Sequence, residues 1–112
     1  MTVVSERAEL AGRRPELRGR LDAVVARGFG PPAVTAECAS PFLRVGGVLV
    51  VSEPPDAAAT LSRWPGAGCA ALGLELVRVL DAPFSFAVLR QVEPCADRYP
   101  RRVGIPEKRP LF

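Results

Sequence analysis

Short apolar runs, each bounded by turn residues, set the plan of this chain. Leu21-Asp22-Ala23-Val24-Val25-Ala26 stops abruptly at Arg27-Gly28-Phe29-Gly30, and its length fits a strand buried on both faces. Pro31-Pro32 can open a helix, since proline suits the first helical positions. From Ala33 to Leu43 the chain is alanine-rich, with Val34, Cys38, Phe42 and Leu43 spaced for one buried face. Pro41 removes a donor there and should kink or shorten the last turn. Gly46-Gly47 is expected to end that helix and feed a second strand, Val48-Leu49-Val50-Val51. Strand, helix and strand with short links predict a βαβ unit.

Further along, Ser52-Glu53-Pro54-Pro55 breaks the pattern and Asp56 can cap a helix from Ala57 to about Arg63. Leu74–Leu80 and Phe84–Leu89 read as two more strands, with only Asp81-Ala82-Pro83 between them. A parallel crossover needs a dozen or more residues, so this pair is predicted to be an antiparallel hairpin. The sheet therefore begins parallel and finishes with one reversed strand. At the other end, Thr2-Val3-Val4 reads as the close of a strand, and Ser5 as the cap of a helix with acids in its first turn. From Glu93 on, Pro94, Pro100, Pro106 and Pro110 stand among basic residues. Residues 1–92 are thus expected to be the folded portion, and 93–112 an extended basic tail over the surface.

Composition narrows the chemistry. In 112 residues there is room for one modest domain. The 48% apolar content suits a folded protein, and no window holds the roughly 18 uninterrupted apolar residues of a membrane span. Met1-Thr-Val-Val-Ser-Glu-Arg meets a charge before any apolar stretch develops, so no secretory leader is expected. With no histidine, Ser-His and Cys-His dyads and histidine metal sites are excluded. Cys38, Cys69 and Cys95 stand far apart with no C-x-x-C pair; they read as reduced thiols in a cytoplasmic protein, acting as small apolar fillers and holding no metal. The net charge is only +3, but arginines crowd both ends, which suits a polyanion partner or a merely solubilising surface.

The segment Tyr99-Pro100-Arg101-Arg102-Val103-Gly104-Ile105-Pro106-Glu107-Lys108-Arg109-Pro110-Leu111 closely resembles the C-terminal signature of the bacterial small-subunit (16S) rRNA guanine-N7 methyltransferases, the glucose-inhibited division protein B family. Three further stretches agree in order. Arg7-Ala8-Glu9 looks like the family's adenine-side loop, and Val25-Ala26-Arg27 resembles its strand-end Ser/Ala-Arg. Pro41-Phe42-Leu43-Arg44-Val45-Gly46-Gly47 is similar to its helix-to-strand turn. The resemblance covers the whole chain but only about the C-terminal half of the family's domain. It implies an α/β fold, part of the class I S-adenosylmethionine methyltransferase (Rossmann-like) architecture. On that mapping the four runs are strands 4-5-7-6 in spatial order, strand 7 is antiparallel, and strands 1 and 2 are missing. Val3-Val4 would be the end of strand 3.

The same resemblance implies S-adenosyl-L-methionine as cofactor, with Ala8, Glu9 and Arg27 beside it, and small-subunit rRNA as partner. Arg27 has independent support, because it follows a strand at the carboxyl end of a sheet, where open α/β folds place ligands. Glu9 can equally be a solvated acid favoured by a helix dipole. Tyr99, Arg101, Arg102, Lys108 and Arg109 could grip rRNA through phosphate contacts and stacking, or latch the tail onto its own domain. Gly28-Phe29-Gly30 is not a G-x-G-x-x-G, so the glycine-rich cofactor turn and the ribose-holding acid are absent. The missing N-terminal half of the domain is the partner that would supply them. Two positions depart from the family: Ser52-Glu53 stands where lysine-glycine is usual, and Ser85-Phe86 where arginine-histidine is usual. These changes keep open a diverged substrate, and the truncated pocket keeps open a non-catalytic RNA-binding module derived from the same fold. The truncated chain is expected to be inactive alone, and its Leu21–Ala26 strand to be left as an exposed apolar edge.

Overall fold

The computed structural model describes residues 3–81 and 83–112. Four strands form one sheet: β1 (Leu21–Ala26), β2 (Leu43–Glu53), β3 (Leu74–Leu80) and β4 (Ser85–Gln91). Their spatial order is β1-β2-β4-β3. β1 and β2 run parallel, with Ala23 opposite Val48 and Ala26 opposite Val51. β4 is antiparallel to both neighbours, pairing Leu49 with Leu89 on one side and Leu76 with Leu89 on the other. The order and the single reversed strand are those expected for strands 4-5-7-6 of the methyltransferase fold. The hairpin follows from the short link after Leu80, of which Ala82 lies outside the described residues.

Helices pack on one face of this sheet. They are α1 (Ala8–Ala11), α2 (Pro32–Ala39), α3 (Ala57–Arg63), α4 (Gly66–Ala71) and α5 (Ile105–Lys108). Asp56 caps α3 as the sequence predicts, its carboxylate accepting the Ala59 amide at 3.1 Å. The core joins Ala36 and Ala39 of α2, Trp64, Cys69 and Leu72, and the sheet residues Leu49, Val51, Leu74, Ala87 and Leu89. Alternation along β2 and β4 turns Leu49, Val51, Ala87 and Leu89 inward. The positions between them, Val48, Val50, Phe86 and Val88, are only half-buried on the opposite face. β1 lies at the sheet edge, and its Val25 is 74% exposed. The predicted apolar edge is therefore real.

Several local expectations change. α2 ends at Ala39, and a 3-10 turn over Ser40–Phe42 accommodates Pro41, so the helix is shorter than the predicted span to Leu43. Gly46-Gly47 do not end a helix; they lie inside β2, which starts at Leu43. There Gly46 adopts φ +89° and β2 bulges, so that Leu21 pairs with Leu43 but Ala23 with Val48. A Cβ on Gly47 would come within 3.1 Å of the Leu21 and Asp22 carbonyl oxygens, which explains why glycine suits the bulge. Ser5 does not cap α1, which starts only at Ala8 after Arg7. Val3 and Val4 are exposed and belong to no strand, so the expected strand end is not formed there. Thr2 lies outside the described residues.

The largest difference is the tail. Instead of running extended over the surface, residues 99–109 pack against the domain: Tyr99 joins the core cluster, Pro100 and Pro106 are fully buried, and Ile105–Lys108 form α5. Prolines suited this outcome as well as the extended one. They present apolar rings, and Pro106 sits in the first turn of α5, where a missing amide costs nothing.

Candidate functional site

A cavity of about 290 Å³ opens at the carboxyl end of β1. Its floor is Val24, Val25 and Ala26, and its far wall is α2 and the following turn, through Thr35, Cys38, Ala39 and Phe42. Ala8 and Arg27 both line it, with Phe29 at the rim. These two residues are nineteen positions apart in sequence, and the fold brings them to one place because β1 delivers Arg27 to the end of the sheet while α1 lies across α2. A second hollow of about 280 Å³ shares Ala8, Phe29 and Cys38 and adds Arg7, Glu9 and Val34. The three residues expected beside the cofactor are thus divided between two hollows, Arg27 in the first, Glu9 in the second and Ala8 in both.

The chemistry of this region is mostly apolar, with a cationic side chain at its mouth. Arg27 is exposed. Cys38 is buried in the wall, and burial pushes its thiol up to about 12, so it stays protonated and lines the site as an apolar group. Cys69, raised by burial to about 11, lies in the core; neither forms a disulfide. Glu9 is buried, with its carboxylate accepting from Arg7 Nη2 at 2.9 Å and from the Gly104 amide at 3.2 Å. The Arg7 hydrogen bond is the main reason its carboxyl is lowered to about 2, against the opposing effect of burial. Its side chain is thus engaged within the protein, which leaves the solvated-acid alternative without support.

The tail residues divide sharply. Tyr99 is buried, with the Arg98 guanidinium 5.0 Å over its ring. Arg101 grips Glu37 of α2, a side chain with no exposure: its Nη2 donates to Oε1 at 2.7 Å and its backbone amide to Oε2 at 2.8 Å. Arg102, Lys108 and Arg109 are exposed and face solvent. The structure thus separates Tyr99 and Arg101, which are used internally, from three cations that are free to meet an anion.

Glu37 was not singled out by sequence reasoning, although it is the sole charged residue of α2. A lone acid inside an otherwise apolar helix is the signal that could have found it. Glu53 also changes meaning. Its carboxylate is buried against α3, accepting from Trp64 Nε1 and from Arg63 Nε at 3.0 Å, so the acid at the end of β2 points into the protein. Ser85, at the second departure, is buried and donates to Asp81 at 3.2 Å. Among the described residues no group of three or more Cys, Asp or Glu side chains is placed to share a metal ion, and no helix is long and apolar enough to cross a membrane.

No family model matches the chain. Individual curated relatives do. The chain is 34% identical to a ribosomal RNA small subunit methyltransferase G from Dictyoglomus thermophilum, over 98% of this chain and 48% of that protein. It is 39% identical to the protein of that name from Deinococcus radiodurans, over 95% and 44%. The corresponding figures for Carboxydothermus hydrogenoformans are 36%, 99% and 50%. The chain spans about half the length of the curated relatives it matches. Among solved structures it is similar to a T. thermophilus 16S rRNA N2 G1207 methyltransferase in complex with AdoMet and guanosine, at TM-score 0.46 and 24% identity, over 70% of this chain and 22% of that one.

Proposed function

From its kinship along nearly its whole length with one half of the ribosomal RNA small subunit methyltransferase G family, we propose that this chain is the C-terminal portion of an enzyme that methylates a guanine N7 in small-subunit rRNA, using S-adenosyl-L-methionine. The observation that carries the reading is the meeting of Ala8 and Arg27 in one cavity at the carboxyl end of β1. That is where α/β sheets seat their ligands. The apolar floor of Val24, Val25 and Ala26 suits a flat purine, and Ala8 can offer only backbone atoms to its edge. Arg27 and Phe29 at the mouth supply a charge and an aromatic face.

The fit extends to the adenine side alone. The glycine-rich turn and the ribose acid would come from the missing N-terminal half, which the free edge of β1 and the half-covered second face of the sheet are suited to receive. Bound there, the cofactor supplies an electrophilic sulfonium methyl. Guanine N7 carries a free lone pair, so no base need remove a proton, and a histidine-free chain is adequate for the task. The chain's own residues bind and orient: the cavity holds one end of the cofactor, and exposed Arg102, Lys108 and Arg109 meet rRNA phosphates from the segment 93–112. On this reading the protein works with the ribosomal subunits in the cytoplasm. Without its other half the chain is expected to bind weakly and transfer no methyl group.

A second reading, a non-catalytic RNA-binding module, is favoured by the exposed cations Arg102, Lys108 and Arg109. A third, a diverged substrate, was suggested by Ser52-Glu53. The inward orientation of Glu53 weakens the third, because the acid adds no charge at the substrate side. Two measurements decide among them. Titration of the chain with S-adenosylhomocysteine, followed by amide chemical shifts, should move Ala8, Arg27 and Thr35. A fusion carrying the first half of the Dictyoglomus relative should transfer tritiated methyl groups to unmethylated small-subunit rRNA. RNA binding with neither ligand response nor transfer would establish the module instead.

A further inference from the structure

The segment that sequence reads as a basic tail holds both walls of the cavity. On one side, the Gly104 amide donates to Glu9, the residue that follows Ala8 in α1. On the other, Arg101 meets Glu37, which lies between Thr35 and Cys38 in α2. Arg13 fixes the approach to this segment by donating to the carbonyls of Asp97 and Pro100 at 2.9 and 2.6 Å. Gly104 can turn the chain from one anchor to the other because it adopts φ +85° at the start of α5.

We propose that residues 99–109 act as a clamp that sets the gap between α1 and α2, with Arg101 as a positioning residue for the cavity and not a contact to rRNA phosphate. The inference rests on the reading of that cavity as the cofactor site. Three observations carry it. First, Nε and Nη2, the side of the guanidinium that would fork a phosphate, already serve Glu37, and Nη2 also donates to the Arg109 carbonyl at 2.6 Å. Second, among the described residues every hydrogen bond that the Glu37 carboxylate accepts comes from Arg101, and a buried carboxylate deprived of its donors is strongly destabilising. Third, Glu9 of α1 and Glu37 of α2 are both buried acids that accept from this one segment, Glu9 from Arg7 as well. Moving the segment would move Ala8 against Thr35 and Cys38.

The test uses the full chain with Arg101→Lys, Arg101→Gln, Gly104→Ala and the exposed control Arg102→Gln. Amide hydrogen exchange and chemical shifts report on both walls, with Leu89 in the central β4 as the reference for global stability. For Arg101→Lys and Gly104→Ala we expect exchange at residues 8–12 and 35–39 to accelerate about tenfold more than at Leu89, whose change reports the loss of global stability. S-adenosylhomocysteine should bind about tenfold more weakly at temperatures well below the lowered melting midpoint. Arg102→Gln should alter neither, but should reduce the salt dependence of RNA binding. Should Arg101→Gln fail to fold, the lysine and alanine variants carry the test. Unchanged exchange at both walls in Arg101→Lys and Gly104→Ala, or a loss of about one unit of salt slope in Arg101→Gln, would overturn the proposal. A wild-type chain that ignores S-adenosylhomocysteine would instead refute the cofactor reading, and the exchange data would still decide the clamp.

Discussion

Val25 and Val50 are register partners across the parallel pair of strands, yet Val25 is 74% exposed whereas Val50 is half-buried. The difference arises from position. β2 is flanked on both sides, and β1 has a neighbour on one side only. An apolar strand edge of this kind is a template for pairing with another chain.

Val25→Lys should therefore raise the soluble, monomeric fraction without lowering the melting midpoint. Light scattering and dye binding at matched concentrations check this. The same variant should abolish rescue by a separately expressed first half, because the lysine would stand where that half is expected to dock.

Glu9 makes stability depend on acidity. Its carboxyl titrates near 2 in the folded chain against an ordinary value of 4.5, held down first by the Arg7 hydrogen bond. A depressed folded value means the contribution is fully present above about 4.5 and is lost as pH falls toward 2. With Arg7 half in solvent, the loss is roughly 1–2 kcal/mol. Urea midpoints measured from pH 6 to pH 2 should show it, and Glu9→Gln should flatten that part of the profile.

Trp64→Phe should cost about 1–3 kcal/mol, because it leaves the buried Glu53 carboxylate without the indole donor. The double variant Trp64→Phe with Glu53→Gln should be closer to wild type than the sum of the two changes. Denaturant unfolding of all four proteins provides the cycle.

Neutralising Arg102, Lys108 and Arg109 together should weaken RNA binding and lower its salt slope by about two units, as expected when phosphate contacts are removed. Affinity measured across a salt series is the check. A slope unchanged from wild type would remove these three side chains from the interface.

Much of the sheet was readable because its logic is local. The Leu21–Ala26 and Leu74–Leu80 runs became strands with the predicted limits, and a link of three residues after Leu80 left only one pairing geometry for the next strand. Gly46-Gly47 misled, because two glycines signal a helix end and a bulge equally well, and only the pairing of Leu21 with Leu43 selects the bulge. The candidate cavity was half legible. Ala8 was singled out through a resemblance and Arg27 also through its place after a strand end, whereas Glu37 depends on an arginine 64 positions away, a separation that no local pattern spans. The tail failed for the same reason: the partners of Tyr99, Arg101 and Gly104 lie in α1, α2 and the core, and without them a proline-rich basic stretch reads as solvent-exposed.

The cavity finishes where β1 finishes, at an unpaired rim of the sheet. A molecule seated there is grasped along one flank and bathed by solvent along the other. For this polypeptide by itself, recognition should consequently be divisible: plain adenosine ought to compete nearly as well as the complete nucleoside–amino acid conjugate, whose methionine end would hang in water with nothing to touch.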